Sequence, residues 1–116
     1  MGSFSFPKKQ RLLNRKDFVN LNRFGKRYQS KHFTVLFNRN RLGITRLGIT
    51  VSKKIGNAVK RNKVKRLIRE FFRLHKSHFP QGYDMVIAAK YGASDLYFWE
   101  IKEELGELIL DKEFNI

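Results

Sequence analysis

The sequence predicts an α+β domain, in which three helices pack on a small mixed sheet of three to four strands in the order α-β-β-(β)-α-β-α. Three observations point there. Apolar residues recur at helical spacing in three separated stretches, the longest at 57–75. Between them lie short runs rich in β-branched and aromatic or purely apolar residues, at 31–38, 45–51 and 83–89. The 116 residues contain no linker, so 1–116 reads as one domain around one core.

Residues 1–13 read as an extended lead-in, with Pro7 and the basic cluster Lys8, Lys9 and Arg11. Asn14 is suited to cap a first helix at about 14–24, with Asp17 where a capping-box acid would sit. Leu13, Phe18, Leu21 and Phe24 supply its apolar stripe, and Gly25 its terminator. In 31–38, Phe33, Val35 and Phe37 share one face of a strand, and Thr34 and Leu36 the other. Arg27 to Ser30 can add a short edge strand, and 38–41 reads as a turn. The pentapeptide RLGIT then occurs twice in succession, at 41–45 and 46–50. The offset is odd, so within one strand equivalent side chains of the two copies would point to opposite faces. We read the second copy as strand and the first as turn plus strand entry; a slipped register is the open alternative.

Gly56 and Asn57 open the long helix. Stepping along an ideal helix, Val64, Leu67, Ile68, Phe71, Phe72 and Leu74 fill an arc of about 160°, while Asn62, Lys65, Arg66, Arg69 and Arg73 fall within about 100° on the other side. Seven cations and one acid, Glu70, lie between Lys60 and Arg73. Pro80, Gln81 and Gly82 break the chain. Met85 to Ala89 is continuously apolar, which predicts a strand buried on both faces. Ser94 or Asp95 can cap a last helix to about Asp111, with Phe98, Ile101, Leu105, Leu108 and Ile109 inside and Glu100, Glu103, Glu104 and Glu107 outside.

The charge is divided unevenly. Of a net +15, residues 1–83 hold 22 basic and 2 acidic residues, and residues 84–116 hold 3 basic and 8 acidic. A folded domain so charged repels itself unless a polyanion neutralises it, which makes nucleic acid the first candidate partner and an anionic membrane surface the second. Like charges four apart weaken a helix, so the crowding along 60–73 points to a polyanionic partner. No apolar run approaches the roughly 20 residues of a membrane span. Met1 to Gln10 has no apolar signal core, so a cytoplasmic protein is expected.

Self-contained catalysis has no support. There is no cysteine, which excludes disulfides, zinc–thiolate sites and a Cys nucleophile. The basic 83 residues hold only Asp17 and Glu70, too few and too separated to bind two catalytic cations. His75 and His78 could meet on a helix but have no third ligand nearby. Ser52 and Ser94 have no His–acid partners, and Gly43, Gly48 and Gly56 make neither a Walker nor a Rossmann spacing. We therefore expect no catalytic residue, no metal ligand and no small-molecule substrate.

Ser52 to Arg69 reads SKKIGNAVKRNKVKRLIR. It closely resembles the signature of the bacterial ribonuclease P protein subunit, an Arg-Asn-Arg run followed by a Lys-Arg pair and another Arg on one long helix. Here the run is Arg61-Asn62-Lys63, then Lys65-Arg66 and Arg69. Lys63 keeps the charge of the third member and loses the bidentate fork of Arg. Phe6 to Leu13 with Asp17-Phe18, Arg46 to Val51, and Tyr83 to Ala89 are similar to the family's first helix and its approach, a main strand and the last strand.

The resemblance implies a left-handed β-α-β crossover, against the general preference. It implies that the chain binds the catalytic RNA of ribonuclease P and precursor tRNA and assists removal of the 5′ leader. Magnesium, held mainly by the RNA, would then be the cofactor. It implies RNA contacts for Lys53, Lys54, Lys60, Arg61, Asn62, Lys63, Lys65, Arg66, Arg69 and Arg73, and a cleft for the single-stranded leader at Phe18, Thr34 and Leu36. Where the family often has a second aromatic one turn after Phe18, this chain has Asn22. Phe18 reads equally well as a core residue. A ribosomal or ribosome-assembly RNA-binding protein would share the composition; the signature is what argues against it.

Overall fold

In the computed structural model, residues 10–11 and 15–110 are described. The elements are α1 (Arg15–Phe24), β1 (Lys26–Gln29), β2 (Phe33–Arg39), β3 (Arg46–Thr50), α2 (Ala58–His75), β4 (Tyr83–Ala89) and α3 (Phe98–Leu105). Short 3-10 turns stand at Lys53–Ile55, Lys76–His78 and Ala93–Asp95, and α3 runs on into a π-helical turn, Gly106–Leu110. The additional edge strand is thus β1, and all three helices and the remaining strands fall where the periodicity puts them.

The sheet order is β1-β2-β4-β3. β2 pairs antiparallel with β1 and β4, whereas β3 runs parallel to β4 and reaches it through α2. β4 is therefore an inner strand with helices over both faces, which explains its unbroken apolar run. Met85 and Ile87 face one side and Val86 the other, and all three are buried.

The two faces are unequal. On one, Phe33, Val35 and Phe37 join Leu47, Met85 and Ile87 beneath Val64, Ile68, Phe71 and Phe72 of α2 and Ile101 and Leu105 of α3. On the other, among the described residues, Leu36 and Val86 cluster with Leu21 of α1, with Phe18 packed partly against them. The main core is thus sheet against α2 and α3, and α1 is a lighter cover on the opposite side.

Several local expectations are corrected. Leu74 is 47% exposed, at the margin of the apolar arc. Neither Ser94 nor Asp95 caps α3; both lie in the 3-10 turn, and at Tyr97 the backbone N–H donates to the Glu100 carboxylate at 2.9 Å. Asp17 lies within reach of Arg46 across the sheet; its expected capping partner Asn14, and Leu13, fall outside the described residues. Gly25 does end α1, through its N–H on the Leu21 carbonyl, but for want of space. A Cβ there would lie 2.6 Å from the Leu21 carbonyl oxygen and 3.1 Å from that of Phe37.

Candidate nucleic-acid interface

Two surfaces carry the sequence-predicted residues. The first is the outer face of α2 with the turn before it. Asn57 caps α2 by accepting from the Lys60 N–H at 3.0 Å, which satisfies one of the helix's unpaired donors. The apolar arc then anchors Val64, Ile68, Phe71 and Phe72 in the core and turns the cationic arc to solvent. Lys60, Asn62, Arg66 and Arg69 are exposed and Lys65 half-buried; Lys53 and Lys54 are exposed on the adjoining turn. Among the described residues none of these six cations forms an ion pair.

The other cations of the set have internal work. Arg61 Nε donates to the Gly56 carbonyl at 3.2 Å, fastening the helix entry, and Lys63 Nζ donates to the Ser94 carbonyl at 3.2 Å. Arg73 grips Glu70 with two hydrogen bonds of 2.6 and 2.8 Å. Those bonds hold the Glu70 carboxyl below its usual range and push the Arg73 guanidinium up. Glu70 thus offsets the charge at one end of the arc and leaves the stretch from Lys60 to Arg69 uncompensated.

The second surface is the sheet face beneath α1. Strand register places Arg27, Leu36, Val86 and Gly48 in one row across it, and Gln29, Thr34, Ala88 and Thr50 in the next. α1 covers the first row through Leu21 and Phe18. The second row stays open: Gln29 and Thr50 are exposed, and Thr34 and Ala88 are half-buried. Phe18, half-buried against Leu36 and Val86, and Thr34 of the open row lie on this same face, whereas Leu36, at 8% exposure, is buried. Asn22, one turn beyond Phe18, is exposed and returns its amide to the Phe18 carbonyl at 3.1 Å.

At the covered end of this face stands a polar cluster that periodicity did not reveal. Arg46 donates to both carboxylate oxygens of Asp84, at 2.8 and 2.7 Å, and lies 3.5 Å from Asp17 on α1. The hydrogen bond and charge of Asp84 push the Arg46 guanidinium up, with Asp17 adding to it. The signal available was the β3–β4 pairing of Arg46 with Asp84, which needs the register to be known.

The described residues do not fit a metal centre. Among the described residues no three His, Asp or Glu side chains gather. The acids that approach other groups are already occupied: Asp17 and Asp84 by Arg46, Glu70 by Arg73, and Glu104 by Ser30 and His32. His75 uses Nδ1 on the Phe71 carbonyl within α2, and α2 ends before His78. The acidic residues collect elsewhere, with Glu103 and Glu107 beside Trp99 on a groove between α2 and α3. No described helix is long and apolar enough to cross a membrane.

An α+β domain with a one-sided cationic helix opposite its core has the surface of a protein that holds a polyanion. A family model described as Ribonuclease P matches residues 6–113. The ribonuclease P protein component of Syntrophus aciditrophicus is 45% identical over 116 residues, covering 100% of this chain and 98% of that protein. That of Thermotoga maritima is 40% identical over 109 residues, covering 90% and 93%. Among solved structures, the RNase P protein from Thermotoga maritima superposes with a TM-score of 0.82 at 39% identity, over 90% of this chain and 98% of that one. The Staphylococcus aureus RNase P protein gives 0.81 at 38% identity, over 85% and 91%. The chain belongs to the ribonuclease P protein family, and is the protein subunit of an endoribonuclease whose RNA carries the chemistry.

Proposed function

We propose that the two surfaces divide the work of the subunit: the outer face of α2 holds the catalytic RNA, and the cleft beside α1 takes the 5′ leader of precursor tRNA. The observation that carries this is the uncompensated run of Lys53, Lys54, Lys60, Lys65, Arg66 and Arg69 on one side of a helix whose other side is core. Such a face neutralises phosphates and releases their counterions. Asn62, exposed among the cations, adds a directional amide that can bond a base edge, a phosphate or a 2′-hydroxyl. In the cleft, Phe18 offers a ring on which an unpaired base can stack, with Thr34 as a hydroxyl neighbour, so many leader sequences are tolerated.

In this reading magnesium is the cofactor and is held mainly by the RNA; among the described residues no three carboxylate or imidazole side chains gather to hold it. The protein's contribution is electrostatic and positional: it lowers the repulsion between two polyanions and fixes where the leader leaves the tRNA. The setting is the bacterial cytoplasm. Reconstitution tests the reading. At low magnesium, the purified chain added to its cognate catalytic RNA accelerates 5′ cleavage of precursor tRNA; no acceleration refutes it.

A further inference from the structure

We propose that Arg46 is a positioning residue that sets the opening of the leader cleft, by tying the first turn of α1 to the sheet through Asp17. The inference rests on the cleft reading above.

α1 is held lightly. Leu21 is its only fully buried residue, and among the described residues it meets a cluster of Leu36 and Val86, with Phe18 packed partly against them. Its two ends are fixed differently. The C-terminal end is pinned by Gly25, whose N–H bonds the Leu21 carbonyl at 3.0 Å and which leads directly into β1. Ahead of the N-terminal end, Arg11 bridges Leu47 of β3, and within the helix's first turn Asp17 meets Arg46 at 3.5 Å.

Arg46 is well suited to act as a strut. Its guanidinium is oriented by two hydrogen bonds to Asp84, and the same carboxylate accepts from Asn40 Nδ2 at 2.8 Å. Asn40 is in turn fixed by its N–H on the Gly82 carbonyl at 2.8 Å. Two strands and the loop between β2 and β3 thus immobilise the fork, and one of its nitrogens also faces α1. Phe18 follows Asp17 directly in the chain. Releasing Asp17 loosens the first turn of α1 between the Arg11–Leu47 bridge and Gly25 and shifts the Phe18 ring relative to the open row of Gln29, Thr34, Ala88 and Thr50.

The test uses the reconstituted holoenzyme and two precursor tRNAs, one with a leader of several nucleotides and one with a single-nucleotide leader. Asp17→Asn removes the contact to α1 and leaves the Arg46–Asp84–Asn40 cluster intact. KM for the long-leader substrate should rise about two- to fivefold, as expected for a partly exposed ion pair, with kcat unchanged. The single-nucleotide substrate should be processed as by the wild type, the thermal midpoint should hold, and Asp17→Glu should restore KM. Phe18→Ala, measured alongside, gauges the cleft itself. If Phe18→Ala shows no leader-dependent loss, the cleft reading falls and this inference with it. If Phe18→Ala does and Asp17→Asn matches the wild type, the positioning role alone is overturned. Equal losses by Asp17→Asn on both substrates, or a lowered thermal midpoint, would show a general structural role and also overturn it.

Discussion

Replacing Lys65 and Arg69 together by glutamine tests the α2 face most directly. The two lie four residues apart on the cationic arc, and neither is ion-paired among the described residues. Their removal orphans no internal partner and relieves a like-charge repulsion, so folding stability should stay level or rise by about 0.2–0.5 kcal/mol. Binding should change in the opposite sense. Each phosphate contact contributes about 0.7–0.9 to the slope of log affinity against log salt, so losing two lowers its magnitude by about 1.4–1.8. Over a fourfold rise in salt, the affinity gap between wild type and variant should therefore shrink by about tenfold. Titrating labelled catalytic RNA by fluorescence anisotropy from roughly 50 to 200 mM monovalent salt reads both quantities. A variant that binds less tightly with an unchanged slope, or binds as tightly, would refute the assignment of this face to phosphates.

The packing also sets the outcome of four single substitutions. Burial alone would raise the Glu104 carboxyl, but hydrogen bonds from Ser30, then His32, outweigh it and hold the group below its ordinary range. Its stabilising contribution is therefore full above the unfolded glutamate range, near ~4.3, and disappears as pH falls through the lower folded value. Glu104→Gln should unfold more easily at neutral pH by about 1–3 kcal/mol, with its urea midpoint converging on the wild type in acid; parallel curves would contradict this. Gly25→Ala should cost about 1–3 kcal/mol in urea unfolding, because its Cβ would meet two backbone carbonyls. Leu47→Ala should cost about 2–5 kcal/mol. Leu42→Ala, the same residue of the other RLGIT copy, should stay within about 0.5 kcal/mol by the same measurement.

Elements with one strong period were legible in the sequence. The register Val64, Ile68, Phe71 and Phe72 fixed the buried side of α2 and so its cationic side, and all four are buried. Phe33, Val35 and Phe37 likewise separated from Thr34 and Leu36 onto opposite sheet faces. What stayed hidden depended on partners distant in the chain. That α1, alone among the described helices, covers one face follows from which strand is central, and no local pattern states the order β1-β2-β4-β3. Arg61, Lys63 and Arg73 read as equals of Lys65 and Arg69, yet their bonds to Gly56, Ser94 and Glu70 give them structural duties. Glu104 read as a solvated acid of the last helix, whereas it accepts from both the backbone N–H and Nδ1 of His32, at 2.7 and 2.8 Å.

The doubled pentapeptide shows topology choosing between identical sequences. Sliding β3 back by five residues would put Arg41, Leu42, Gly43, Ile44 and Thr45 where Arg46, Leu47, Gly48, Ile49 and Thr50 stand, and the strand facing β4 would be chemically unchanged. The sheet order opposes it. β2 ends at Arg39 opposite Tyr83, β3 begins at Arg46 opposite Asp84, and β4 lies between them. The connection must cross two inter-strand spacings, roughly 9.6 Å. After a slip, the two residue steps from Arg39 to Arg41 would have to cross it, and they reach at most about 7.2 Å, so β2 would have to fray. In the observed register the first copy makes the crossing. Arg41 and Gly43 take positive φ, at 60° and 78°, conformations a strand cannot use. Asn40 holds the loop by donating to the Ile44 carbonyl at 3.0 Å and accepting from the Leu42 N–H at 2.8 Å, and the Thr45 hydroxyl donates to the Pro80 carbonyl. Leu47 is 1% exposed and Leu42 56%. With the slip closed off, Leu42 cannot take the place of a truncated Leu47, and that is why two identical substitutions in identical pentapeptides should differ by several kcal/mol.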